Sequence, residues 1–360
     1  MATAQNTTIN LSSDFDHLLE VTTNPDKPFD TSKIETLIKS VESEDFLKSP
    51  EFTGGLKDIP SAYYGFNVNS SLKRLLKFCY NTKIPGSAVL PGYVRLAKWK
   101  NNTESCDNTI ELWEQLDIFK SPVIKKGSLY MQNTPDIHTG AYYGYDSFKT
   151  GILLKYNNKN VYISVSKQKD ISEVGKKGFI LGNGKNLDYF YSGEPGLNKF
   201  GLGSIKSYLY DAFAVTVYLE TDPGMLKCVS FKWLKGGWAG MNMIKPGHIK
   251  KGLKRFAVQQ KNLIESETLP SYGRLLSTCA KYNELPEDEM KMLMKGTLSK
   301  ILLTCNTSSN CPKFLKKDFN PDIYISRMTK EEMKASLILQ DMKNLYQAGK
   351  QKPLKISFKN

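Results

Sequence analysis

Phe213-Ala214-Val215-Thr216-Val217-Tyr218-Leu219-Glu220-Thr221-Asp222-Pro223-Gly224-Met225-Leu226-Lys227-Cys228-Val229-Ser230-Phe231-Lys232-Trp233 is the stretch on which the fold turns. Its first arm is β-branched and aromatic, the composition a pleated strand favours. Side chains alternate along a strand, so Phe213, Val215, Val217 and Leu219 share one face. In Thr221-Asp222-Pro223-Gly224 proline presets φ and glycine takes the positive-φ position, which makes a tight turn. From Leu226 to Trp233 the alternation resumes, with Lys227 the one exception on the face of Val229, Phe231 and Trp233. The stretch predicts an antiparallel hairpin.

A second hairpin lies upstream. Gly151–Tyr156 and Asn160–Ser166 flank Asn157-Asn158, and asparagine tolerates the left-handed backbone such a turn needs. On the second arm Val161, Ile163 and Val165 face one way, and Tyr162, Ser164 and Ser166 the other. Ala141–Asp146, Phe179–Leu181 and Leu187–Ser192 read as further short strands. Strands and turns dominate with no strand–helix–strand alternation, so the sheet is expected to be mostly antiparallel.

Pro246-Gly247 then punctuates the chain before a helical pattern. Ile249, Leu253, Phe256, Ala257, Leu263 and Ile264 recur at spacings of three, four and seven, one face of an α-helix, and Pro270 ends the run. An apolar stripe directly after a sheet is expected to lie on that sheet, burying Ile249, Leu253, Phe256 and Leu263. The segment Val215–Gly224, with its acidic–Pro–Gly turn before the last strand, and the helix from about His248 to Ser266 resemble the START-like, helix-grip family. That resemblance implies an α+β fold in which a curved antiparallel sheet wraps a long helix around a hydrophobic cavity. It also implies binding of an apolar or lipid-like ligand.

The flanks read as helical. Residues 1–30 are polar and are expected to be loose. Residues 31–126 form a mainly helical region, 127–267 the sheet with its long helix, and 268–360 a helical appendage. Ser32 and Glu35 form a capping box for a helix over 33–48, with Ile34, Leu37, Ile38 and Val41 on one face. Further helices are expected over 71–80 and 109–119, with an irregular connector around Pro85 and Pro91. Pro286-Glu287-Asp288-Glu289 opens a later helix, and Thr329 with Glu332 caps the last one.

Composition is that of a folded protein, with 40% hydrophobic and 24% charged residues among 360. No run of eighteen apolar residues suggests a spanning helix. The net charge of +14 favours anionic surfaces, including a membrane, without selecting one. No nucleic-acid-binding motif accompanies it, so nucleic acid is not the expected partner. The oligomeric state is not legible.

None of the six cysteines stands in a Cys-x-x-Cys pair, which argues against a zinc ribbon. Cys305 and Cys311 bracket a polar loop that a disulfide can close, while Cys228 sits mid-strand as a packed thiol. The N-terminus has no basic and apolar leader, yet Ala2-Thr3-Ala4 has the small-x-small form of a signal cleavage site. An extracytoplasmic setting is the favoured expectation, with the cytoplasm as alternative.

No catalytic motif and no close set of metal ligands stands out, and no cofactor is expected. His138, in Pro135-Asp136-Ile137-His138-Thr139-Gly140, is the best-placed acid–base candidate, although its plainer role is a loop histidine bonded to its own turn. Gly182-Asn183-Gly184-Lys185-Asn186 lacks P-loop spacing and reads as a β-turn. The aromatic density of the sheet region nominates Tyr218, Phe231, Trp233, Trp238 and Tyr143 as ligand-binding residues. Two main function classes follow: carriage of an apolar or lipid-like molecule between sheet and helix, or catalysis in the same cavity with His138 and tyrosines as acid–base groups. A structural or interaction module is the third.

Overall fold

The computed structural model describes residues 8–350 apart from 44–45, 47–50, 103–110, 121, 136–138, 182–187, 200–202, 307–310, 312–314 and 316–318. The described residues begin with β1 (Thr8–Asn10) and α1 (Ser12–Thr23), then a 3-10 turn over Thr31–Ile34 that runs into α2 (Glu35–Glu42). Next come β2 (Glu51–Thr53), β3 (Ser61–Val68), α3 (Leu72–Cys79), α4 (Gly86–Val89), β4 (Val94–Asn102), α5 (Leu112–Gln115) and β5 (Val123–Asn133). The strand-rich middle holds β6 (Thr139–Tyr142), β7 (Gly144–Tyr156), β8 (Lys159–Gln168), β9 (Lys176–Ile180), β10 (Tyr189–Pro195), β11 (Leu197–Lys199) and β12 (Gly203–Ile205). It closes with β13 (Tyr208–Asp222), β14 (Met225–Trp238) and β15 (Met241–Asn242). Helices α6 (Pro246–Ile264), α7 (Tyr272–Lys281), α8 (Glu287–Asn306), α9 (Pro321–Ser326) and α10 (Lys330–Lys350) follow.

The main sheet is antiparallel throughout, in the order β14-β13-β8-β7-β5-β4, with β3 and the short β15 sharing the outer edge of β14. It curls strongly into a half-barrel, so the fold is α+β. Both expected hairpins are present. Asp222 sits opposite Met225, so Pro223-Gly224 alone turns the chain, with Gly224 at φ +87°. Asn157 and Asn158 both take positive φ, +47° and +62°, the pair of values a two-residue hairpin turn requires.

Each face of the sheet has its own cover. Ile152, Ile163, Val215, Val217, Phe231 and Trp233 make one apolar face, which packs on Leu11, Phe15 and Leu18 of the α1 region and on Leu37, Ile38 and Val41 of α2. Lys227, the charged exception on that face, donates from Nζ to the carbonyl of Glu42 at 2.9 Å, at the end of α2 where a cation is favourable. The opposite face is covered by α3 and the helices from α6 onward. On α6 the expected stripe is buried at Ile249, Leu253 and Leu263, while Phe256 is half-buried. A smaller sheet, β10-β9-β6, packs through Phe179, Leu181 and Phe190 on the region of the Cys305–Cys311 disulfide.

Three expectations are corrected. Residues 8–30, the described part of the segment expected to be loose, are ordered on the sheet: Leu11, Phe15, Leu18 and Val21 are fully buried, and the helix α1 forms because this stripe has the sheet's apolar face to cover. Among the described residues the region 31–126 is not mainly helical, since β3 and β4 arise there and join the main sheet, and the division at 127 falls inside β5. The helix expected over 33–48 is α2, ending at Glu42. Asp30 caps the 3-10 turn before it, its carboxylate accepting the Ser32 N–H, and α2 itself starts after Ile34 with no side-chain cap in place of the Ser32–Glu35 box. The Thr329–Glu332 box is present: the Thr329 N–H donates to Glu332 Oε2 at 3.0 Å and the Glu332 N–H donates to Thr329 Oγ1 at 3.2 Å.

Candidate functional site

Strand register places the polar side of the main sheet in cross-strand rows. One row runs Gly127, Lys149, Ser166, Ala214, Lys232 and Ala62 from β5 through β7, β8, β13 and β14 to β3. The row beside it runs Gly151, Ser164, Thr216, Ser230 and Tyr64. On the other side lie Trp99, Leu129, Ser147 and Gln168, with Ala212 beyond. Small and hydroxylic residues in the middle leave space above them, and a cavity of about 610 Å³ fills it.

The rest of the wall comes from distant parts of the chain. The segment after α3 contributes Tyr80 to Gly86, α6 contributes Leu253 and Phe256, and Asn283 and Lys334 come from the C-terminal helical region. The lining is therefore mixed. Leu90, Val94, Leu129, Met131, Leu253 and Phe256 form an apolar part, facing a floor of Ser147, Ser164, Ser166, Thr216 and Ser230. Thr216 and Ser230 pair through their hydroxyls at 3.0 Å. Ser147 donates to the carbonyls of Phe148 and Lys167 at 3.0 and 3.1 Å, and Gln168 donates from Nε2 to the carbonyls of Asp170 and Leu209 at 2.7 and 2.9 Å. The Gln168 Oε1 is buried with no hydrogen-bond partner among the described residues.

Charge in the lining is one-sided among the described residues. Lys83, Lys125, Lys149, Lys232 and Lys334 border the cavity, against Glu111 as the carboxylate. Glu111 is itself engaged, accepting from the Thr82 hydroxyl at 3.2 Å. Lys232 donates to Tyr93 Oη at 3.2 Å, and Lys334 is hydrogen-bonded to Asn283. The Lys149 ammonium has no hydrogen bond or ion pair among the described residues, and desolvation pulls it down to about 8. Burial likewise pushes the Tyr145 phenol, also in the lining, up to about 12.

The five nominated aromatics are scattered by the fold. Tyr218 is on the cavity side but outside the lining, donating to Gln260 Oε1 of α6 at 2.9 Å and sharing a 2.7 Å hydrogen bond with Tyr80. Phe231 and Trp233 point their rings to the opposite face. There Phe231 meets Phe15, Phe46 and Phe52, and Trp233 donates from Nε1 to the Gly54 carbonyl at 3.1 Å. Phe231 borders the cavity only as the strand residue between Ser230 and Lys232. Trp238 pairs with Met241 at the far end of β14 and is half-buried. Tyr143, between β6 and β7, bonds Ser207 through its hydroxyl at 3.1 Å.

His138, the 182–186 turn and Ala2-Thr3-Ala4 lie outside the described residues. His17, in α1, accepts the Asp30 N–H on Nε2 at 2.9 Å, and His248 accepts the Lys245 N–H on Nδ1 at 3.4 Å. Neither lines the cavity. Lys149, Lys232 and the hydroxyl floor were the residues that the aromatic criterion passed over. Their signal in the sequence is the polar phase of each strand, Ser147-x-Lys149, Ser164-x-Ser166 and Ser230-x-Lys232. No protein-family model matches the chain, and no curated protein matches it.

Proposed function

We propose that the protein binds, and on that basis transfers, an apolar or lipid-like small molecule held between the curled sheet and its covering helices. The observation that carries this reading is a cavity of about 610 Å³ whose lining includes Leu129 and Met131 of the sheet and Leu253 and Phe256 of α6. That volume lies in the range of small-molecule sites, and walls contributed by remote segments are typical of them. The START-like reading belongs to the same proposal, supported by the order of turn, last long strand and helix, and by the α6 side chains in the wall. Delivery at an anionic membrane is supported by the net charge of +14, whose attraction to anionic lipid would act over roughly 8–10 Å and weaken with salt.

Displacement titrations with a fluorescent fatty-acid analogue and a fluorescent sterol, preceded by native mass spectrometry of the purified protein, test the cavity. Saturable binding of one apolar probe, competed by unlabelled lipid, is the expected result, and absence of binding by either overturns the reading. Sedimentation with neutral and anionic vesicles at low and high salt tests the surface. Binding only to anionic vesicles, weakened by salt, is expected, and equal sedimentation with both removes the membrane from the proposal.

A further inference from the structure

Resting on the binding reading above, the row of residues across the sheet goes further than an apolar site. We infer that the ligand is an amphiphile with an anionic head, a carboxylate or a phosphate monoester. The head lies over Ser166 and Ala214, with Lys149 as counter-ion and Lys232 as a second cation, and the chain lies against Leu129, Met131, Leu253 and Phe256.

Lys149 and Lys232 occupy the same cross-strand row, separated by Ser166 and Ala214. Three strand spacings put their Cα atoms roughly 14 Å apart in a flat sheet. Both carry long flexible stems, and the two residues between them are too small to fill the gap, so the ammonium groups flank an open floor. Taking an ammonium out of water without a partner is costly, and proteins normally pair or neutralise such a group. Lys232 has Tyr93, whereas Lys149 has no hydrogen-bond or ion-pair partner among the described residues and borders the cavity. Among the described residues, five lysines against one engaged carboxylate give the cavity a positive potential, which low-dielectric walls concentrate. Ser166, in the row with both lysines, offers a hydroxyl donor to the same anion. An apolar molecule alone would leave the half-buried Lys149 ammonium without a partner in the cavity, whereas an acidic head satisfies it.

The test is a matched pair of probes, a fluorescent fatty acid and its methyl ester, titrated into the full chain and into Lys149→Met and Lys232→Met. Wild-type protein is expected to prefer the acid at least ~10-fold, the contribution of one charge-assisted hydrogen bond. Lys149→Met should abolish that preference while leaving ester binding intact, and Lys232→Met should reduce it. Lys149→Met removes a half-buried ammonium that has no partner among the described residues and keeps the stem's volume, so it should fold. Equal binding of acid and ester by the wild type, or an unchanged preference in Lys149→Met, overturns the inference. Failure of both probes to bind sinks the parent reading instead. An alkyl phosphate that competes with the acid while inorganic phosphate does not supports an amphiphile. Displacement by inorganic phosphate alone would mean a free-anion site and refute the amphiphile.

Discussion

A half-buried lysine whose ammonium has no counter-ion among the described residues should leave a thermodynamic trace in the unliganded protein. Lys149 titrates near 8 in the folded chain against 10.5 as a free side chain, so the unfolded chain holds this proton more tightly. The folded state is therefore penalised in full below pH 8. Stability rises with pH between about 8 and 10.5, as the proton leaves first the folded and then the unfolded chain. The displacement corresponds to roughly 3 kcal/mol at most. Lys149→Met is predicted to raise the urea midpoint at pH 7 and to flatten the rise between pH 8 and 10.5, measured as the difference between variant and parent across that range. A variant less stable than its parent at pH 7 would mean that the ammonium is already compensated in the free protein. An anionic ligand should reverse the trend by restoring the charge, so proton uptake on binding should grow as pH rises past 8.

Two helices of similar amphipathic character hold the sheet on opposite sides, and they should respond differently to the same truncation. Phe15 of α1 is fully buried, edge-on to Phe231 at 5.1 Å and to Trp233 at 4.7 Å. Phe15→Ala should lower stability by roughly 3–5 kcal/mol. Phe256 of α6 is only half-buried, packs on Tyr93 at 5.4 Å and faces the cavity, so Phe256→Ala should cost distinctly less and weaken apolar-probe binding instead. Urea unfolding beside probe titration separates the two effects, and equal losses of stability would contradict this division of labour. The hairpins were legible because alternation and turn chemistry agree locally at Pro223-Gly224 and Asn157-Asn158. The helix α1 was not, because Leu11, Phe15, Leu18 and Val21, set among polar residues, read as polar chain until the sheet that needs them is in view. The cavity was least legible. Ser164, Ser166 and Lys232 have the polar phase of a solvated strand face, and only segments remote in sequence, after α3, on α6 and in the C-terminal helices, enclose that face.

At the scale of the whole molecule, Arg95 of β4 joins three parts of the fold. Its guanidinium pairs with Glu332 of α10 at 2.9 Å and donates to Gln132 of β5 at 3.0 Å. It also lies 4.8 Å from the ring of Tyr142 in β6 and 4.1 Å from that of Tyr191 in β10, so the smaller sheet is clasped to the main one through the same group. Glu332 uses its other carboxylate oxygen to accept the Thr329 N–H, which ties the start of α10 to the pair. Both side chains are largely out of water, at 6% and 12% exposure, so this pair is not subject to the screening that makes surface ion pairs weak. Removing one partner strands the other's charge. Arg95→Met should therefore destabilise the protein by roughly 3–5 kcal/mol. Adding Glu332→Gln should recover part of that loss, because the amide oxygen still caps Thr329 while the stranded charge is gone. Amide exchange should report the effect in α10 and in the β10-β9-β6 sheet before the β13–β14 hairpin, whose contacts do not pass through Arg95. A double variant no more stable than Arg95→Met, or exchange that rises equally in all three places, would show that the pair is not the joint between them.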